Sequence, residues 1–394
     1  MKKLELFFLF VLFVFAIYSA IIISQTTVRT GAARDNHLVL LAQQFSQGHL
    51  NLSPLGLPQG DYVDYFGKQF LYFGPLPSII LVPFAILYGR TFPQGYLGFG
   101  TLILSFIAIW LLCRRVGFKI VDSLWLAIFF VFSTVLFALG IIDISAFQVQ
   151  ALGVVFVLFA LVEHFGKRRS LLIGTLIALA GLTRVTLYLS IIFFLWPRQK
   201  VVLLLFPIII SLVVLGGYNY KRFHSVFENG YRQNVTLGRY PMSANLSFGQ
   251  FSLRHLPANL YSFLIKSPDP IVENGGGFVL RFPYLKVDPW GIAIWFTSPL
   301  FLLIFKAKKN SNFLPAFFTS IALMMPSLLY FGIGFSQFGY RYTLDFLPFL
   351  FLILASALKP SLSILAKVLI VIGVIFNCIY IASIWGYYPH FGIY

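Results

Sequence analysis

Pro75-Leu-Pro-Ser-Ile-Ile-Leu-Val-Pro-Phe-Ala-Ile-Leu-Tyr88 decides how the rest of the chain threads. The segment is apolar throughout, but it is short and carries Pro75, Pro77 and Pro83. A helix that crosses a bilayer needs about 20 apolar residues, and runs of about 10–14 belong to interfacial, re-entrant or buried helices. Counted as a span, 75–88 would invert everything after it and put Arg114 and Arg115 outside. Read as a helix lying in or re-entering the outer leaflet, it leaves a consistent path for all that follows.

A membrane is the frame because the composition leaves no other solvent. Of the 394 residues, 59% are hydrophobic and 10% charged, and mean hydropathy is +0.87. Soluble domains carry about 25% charged residues. Apolar runs long enough to span recur along the whole length, and 46 Phe residues add an aromatic load suited to lipid-facing positions. The alternating pattern of a membrane β-barrel is absent, so the expected fold class is all-α, a polytopic transmembrane helix bundle. Lys2 and Lys3 precede an apolar run, Leu6 to Ile23, that is longer than a secretory signal core of about 7–15 residues. It reads as a retained first helix. Cys113 and Cys378 sit in or beside apolar runs and suggest no disulfide framework or zinc site. The formal charge of +17 lies in short loops and one long polar stretch, which points to anionic membrane lipid as the partner and away from nucleic acid.

Short cytoplasmic loops collect Lys and Arg. Lys2/Lys3, Arg114/Arg115/Lys119, Lys167/Arg168/Arg169, Arg198/Lys200, Lys306/Lys308/Lys309 and, more weakly, Lys359 are the clusters to place inside. The path then has about eleven spans, near 5–24, 95–112, 121–139, 145–162, two short helices in 170–197 meeting near Thr183-Arg184, 201–217, 290–305, 313–332, 343–357 and 362–385. The whole of 1–394 reads as one domain. Its first outer loop, 25–94, holds interfacial helices, and a longer outer loop occupies 218–289. Of the 12 acidic residues, Glu5, Asp122 and Glu163 fall inside, and the other nine fall outside or at outer helix ends.

Four outer features can carry chemistry. Ala33-Arg-Asp-Asn-His37 leads into Leu38, Leu41, Ala42 and Phe45, spaced as one stripe of an amphipathic helix that Gly48 can end. Asp35 stands at the N-cap of that helix, so it is either a cap or a carboxylate able to take a proton from an acceptor hydroxyl at the membrane boundary. Asp143, in Gly140-Ile-Ile-Asp-Ile-Ser145, is costly beside isoleucines unless it is paired or hydrated. Arg184 and Arg341 lie at outer helix ends away from cytoplasmic lipid, where a guanidinium suits a phosphate; the plainer readings are snorkelling or a salt bridge with Asp345. The loop 218–289 carries eight cations from Lys221 to Lys286 among Tyr and Phe, fit for a headgroup, a glycan or simply a folded cap. The histidines have no metal-ligand spacing.

In this order the residues resemble the GT-C superfamily of membrane glycosyltransferases, close to the protein O-mannosyltransferase and aminoarabinose transferase types (glycosyltransferase family 39-like). The resemblance rests on an acid just past the first helix and on Asp61-Tyr-Val-Asp-Tyr-Phe-Gly-Lys68 running to Gly74-Pro-Leu-Pro77. A second Asp in the next outer loop follows, then Gly181-Leu-Thr-Arg184, Tyr218-Asn-Tyr-Lys-Arg-Phe223 with Phe227-Glu-Asn-Gly-Tyr231, and Phe338-Gly-Tyr-Arg-Tyr342. It implies transfer of a sugar from a polyprenyl-phosphate-linked donor to a lipid, glycan or protein acceptor on the outer face of the cell membrane. Asp35 would match the family's catalytic acid, and Asp143 its second-loop acid. Arg184, Arg341, Asp64, Lys68 and Tyr340 are the candidate substrate-binding residues. No cofactor is named by the sequence, and the resemblance leaves room for a divalent metal. Two departures matter: Asp35 is followed by Asn36 where many relatives have paired acids, and no soluble domain is appended. The rival readings are a transporter or flippase, which calls for inverted repeats and midplane polar residues, and a ligase or polymerase of lipid-linked glycans, which relies on Arg and His.

Overall fold

The computed structural model describes residues 2–29, 36–52, 61–196, 200–231, 245–272, 279–334, 337–358 and 361–384. The candidate base Asp35 lies outside them, as do Arg198, Lys359 and the end of the last predicted span. The chain is mostly helical: α1 (Lys2–Arg29), α2 (His37–Ser46), α3 (Leu76–Tyr88), α4 (Gly95–Val116), α5 (Ile120–Phe132), α6 (Val135–Ile141), α7 (Ser145–His164), α8 (Ser170–Thr183), α9 (Ile191–Phe194), α10 (Val201–Phe223), α11 (Leu256–Leu264), α12 (Ile294–Thr297), α13 (Phe313–Leu329), α14 (Thr343–Leu358) and α15 (Ile364–Ile384).

Among the described residues, five helices are long and apolar enough to cross a membrane: α1, α4, α7, α10 and α15. A sixth crossing is made if α5 and α6, bent by 62° at Ser133-Thr134, count as one span. Such a break exposes backbone groups that an apolar medium cannot satisfy. Here Thr134 caps α6 by accepting from the Leu136 N–H, and the buried Asn377 amide donates to the carbonyls of Phe132 (3.0 Å) and Thr134 (3.4 Å). The remaining predicted spans are shorter helices, α8, α13 and α14, or 3₁₀ turns: Val185–Ser190 before α9, and Pro299–Lys306 where a helix was expected over 290–305.

Two corrections concern the segments between the long helices. The class is helical but not purely α, because β1 (Tyr62–Tyr65) pairs with β2 (Lys68–Leu71), and β3 (Asp269–Val272) with β4 (Leu280–Lys286), as antiparallel hairpins. The long loop also begins later than 218, since Tyr218 to Phe223 continue α10. There Arg222, stacked 3.8 Å from the Tyr218 ring centroid, donates to the Leu71 carbonyl and ties α10 to the first hairpin.

The basic clusters that are described mark one end of the bundle. Arg115 donates to the Val162 carbonyl at the end of α7, the Lys200 N–H donates to Ser170 at the start of α8, and Glu5 pairs with Lys367 while accepting from Trp125. Helix α3 stays away from that end. The chain enters it at Gly74, pressed on the last carbonyls of α8, and Thr183 there touches α7 at Gly153, about halfway along. It leaves beside Asn36, which accepts from the Gln94 N–H and donates to the Arg90 carbonyl, while Gln94 reaches Ser145 at the start of α7.

Candidate functional site

Arg184 leaves α8 in extended conformation (φ −147°), which turns its side chain onto the first turn of α14. Its Nε donates to Asp345 Oδ2 at 2.7 Å, and the Thr186 hydroxyl donates to the same oxygen at 3.1 Å. Asp345 is fully buried, and its Oδ1 has no partner among the described residues. A helix N-terminus favours the carboxylate, and the guanidinium compensates it.

Arg341 is held differently. Gln337 anchors it by accepting from its backbone N–H (3.2 Å) while donating to the carbonyls of Trp290 and Ile333. The guanidinium lies 5.4 Å from the Phe147 ring centroid and 5.3 Å from that of Tyr342, and the Arg184 guanidinium lies 5.6 Å from the same Tyr342 ring. One tyrosine therefore sits between two cations. Arg341 has no carboxylate within salt-bridge distance among the described residues, and its Nε is buried without a partner. On α7, Phe147 and Gly153 bracket Gln150, which is one turn from each. Gln150 is buried, and neither end of its amide is bonded among the described residues. The centre is thus sunk into the bundle, level with the middle of α7, and not spread on a surface.

The first loop closes on this centre. Gly74 abuts the Leu182 and Thr183 carbonyls, and two residues earlier the buried Tyr72 donates to Asp61 Oδ1 at 3.0 Å. The Tyr72 ring packs 4.7 Å from that of Tyr231. Burial, then the charge of Asp61, pushes the Tyr72 hydroxyl well above the usual phenol range. His37 is buried against the Tyr62 ring; burial lowers its pKa while Asp61 opposes the shift, and its Nδ1 has no partner among the described residues. The charge of Asp61 also reaches Arg341. Tyr231 in turn feels Arg184, Arg341 and Asp61.

Asp143 stands elsewhere. It accepts from the Gly95 N–H and from the Gln94 side chain at the start of α4, and burial raises its pKa against those two bonds. Neither arginine is among the groups that shift it. Asp64 and Lys68 are exposed beside the hairpin turn, cross-strand from Gln69 and Tyr65. Tyr340 packs its ring on Tyr342 but turns its hydroxyl away, donating to Asn259 (3.0 Å) and the Ser327 carbonyl (3.3 Å), so it clasps α11 to α13. Of the sequence candidates, the fold brings Arg184 and Arg341 together, with the Tyr340 ring 5.5 Å from that of Tyr342, and leaves Asp143, Asp64 and Lys68 apart from them. Asp61, Tyr72, Tyr342 and Asp345 complete the centre. Asp61 and Tyr342 adjoin or share motifs already singled out, but nothing in the spacing says which acid or which tyrosine turns inward. Among the described residues, no three His, Cys, Asp or Glu side chains gather into a metal-holding group. The chain matches no family model, no curated protein and no solved structure.

Proposed function

We propose that this chain is a membrane glycosyltransferase that moves a sugar from a polyprenyl-phosphate-linked donor to a lipid, glycan or protein acceptor on the outer face of the cell membrane. The observation that carries the reading is the pair of guanidiniums on Tyr342, of which only one is ion-paired to a carboxylate among the described residues. Asp345 neutralises Arg184, and Arg341 is left with a charge and an unused N–H in a buried setting. Such a group is costly unless an anion meets it. A phosphate on a lipid tail suits this site, since the tail stays in lipid while the headgroup enters the outer half of the bundle. When the glycosidic C–O bond breaks, negative charge develops on the phosphate, and fixed guanidiniums stabilise it without reorganisation. In this reading α3 is re-entrant and the shorter helices complete about eleven spans, with the first loop outside.

The sunken arginines and the buried His37 also suit a ligase of lipid-linked glycans. Loss of activity in Asp35→Asn would argue against the ligase, which does not rely on the first-loop acid. Arg341→Gln tests the shared site. In cells deleted for the gene, the wild type restores the missing glycan or glycolipid species and Arg341→Gln does not, while Arg341→Lys restores it in part. Full restoration by Arg341→Gln removes the basis of this proposal.

A further inference from the structure

The polar centre holds a second group that sequence reading did not select: Asp61, which the first loop brings to it through Tyr72 and whose charge reaches Arg341. We propose that Asp61 is a catalytic residue, the base that takes the proton from the acceptor as the sugar is transferred. The proposal rests on the glycosyltransferase reading of the same site.

The first argument is geometric. Asp61 is half-buried just before β1, and its Oδ1 is occupied by the Tyr72 hydroxyl at 3.0 Å. Tyr72 is itself fixed between Phe73 (4.6 Å between ring centroids) and Tyr231 (4.7 Å). This contact orients the carboxylate and leaves Oδ2 as the free acceptor. Gly74, two residues beyond Tyr72, is locked on the α8 carbonyls beside Arg184, so the strand carrying Tyr72 cannot drift from the arginines.

The second argument is charge. The charge of Asp61 reaches Arg341, yet no ion pair joins them among the described residues. Opposite charges near one centre that are not paired to each other are both available to a polar substrate. The other carboxylate of the centre, Asp345, is committed to Arg184 and Thr186. His37 is buried, and burial lowers its pKa against the charge of Asp61, which works against an ion pair between them. The Gln150 amide and the Arg341 Nε are buried polar groups without partners among the described residues.

The step balances without further reagents. The acceptor O–H bond breaks and its proton goes to Asp61 Oδ2. The acceptor oxygen bonds the anomeric carbon, and the bond from that carbon to the phosphate oxygen breaks. Its electron pair leaves on the lipid phosphate, opposite Arg341. A positioned base of this kind contributes about 10²–10⁴-fold.

The test uses the full-length protein in nanodiscs with farnesyl phosphate as a sugar-free probe, together with complementation of deleted cells. Asp61→Asn keeps an oxygen for Tyr72. Expected is loss of complementation by about a hundred-fold or more, farnesyl phosphate binding as tight as wild type or tighter, and partial rescue by Asp61→Glu. If Asp61→Asn complements fully, Asp61 is not the base. If it loses farnesyl phosphate binding along with activity, its role is structural and the proposal falls. If Asp61→Asn complements while Asp35→Asn does not, the base is Asp35. Failure of the wild type itself to bind farnesyl phosphate overturns the reading of the site, and this proposal with it.

Discussion

Asp143 and Asp345 are both carboxylates taken out of water, and their surroundings assign them different work. Asp345 has a guanidinium at 2.7 Å and a hydroxyl at 3.1 Å, so removing Arg184 would strand a fully buried charge. Breaking such a pair costs about 3–5 kcal/mol. Asp143 has only the Gly95 N–H and the Gln94 side chain against its burial, and its pKa is raised. The folded state therefore holds the Asp143 proton more tightly than the unfolded state does. Its contribution to stability is present below the unfolded value, about 3.9, and is lost as pH rises through the folded one. Asn at this position can accept the same two bonds without a charge to desolvate. Asp143→Asn should thus melt higher than wild type at pH 7, with the difference shrinking toward pH 4, in detergent melts across that range. A lower melting point at pH 7 would mean that the ionised carboxylate has a favourable partner at that site. If the variant is stable but fails to complement, Asp143 acts in transfer and not merely at the start of α4.

At the scale of elements, the sequence made most of the framework legible because spanning helices are long, apolar and bounded by cations. The predicted helix near 145–162 is α7, Ser145–His164, and the short pair expected in 170–197 is α8 with the 3₁₀ turn and α9, parting at Arg184. Gly48, with φ 78°, follows α2 as expected, although the cap position is filled by Asn36 and not Asp35. The hairpin β1–β2 was not legible. Its two-residue turn, Phe66-Gly67, has φ 47° and 73°. Both signs suit a tight hairpin, but Phe in place of Asn or Asp hides the signal. The inward turn of Asp61 rather than Asp64 follows from that strand's register, which sequence spacing does not reveal. The hairpin's docking rests on Gly74. A Cβ there would strike the Leu182 carbonyl and crowd that of Thr183, and main-chain atoms cannot rotate aside. Gly74→Ala should cost about 1–3 kcal/mol, seen as a lower melting point. It should weaken farnesyl phosphate binding too, because Tyr72 and Asp61 move with the strand. Unchanged melting and binding would show that the contact yields easily.

For the whole molecule, everything depends on whether α3 crosses. Its entry at Gly74 lies level with the middle of α7, and its exit at Arg90 lies beside the start of α7. Thirteen residues of helix cover about 20 Å, and the exit beside Ser145 shows that α3 runs toward the start of α7 and away from the end where Arg115 meets Val162. That path keeps Arg114, Arg115 and the 165–169 turn on the opposite side from the first loop, in agreement with a cytoplasmic bias of short basic loops. Single cysteines test it directly. Cys113 and Cys378 are buried and can be replaced to give a silent background. Asp64 and Arg90 flank α3 and are exposed, and Lys167 is exposed in the α7–α8 turn. A membrane-impermeant maleimide added to intact cells should label cysteines at 64 and 90 and spare one at 167. Labelling at only one of 64 and 90 would mean that α3 spans. Asp61 and the turn carrying Asp143 would then face opposite sides of the membrane, and no single outer site could contain Asp61, Arg184 and Arg341.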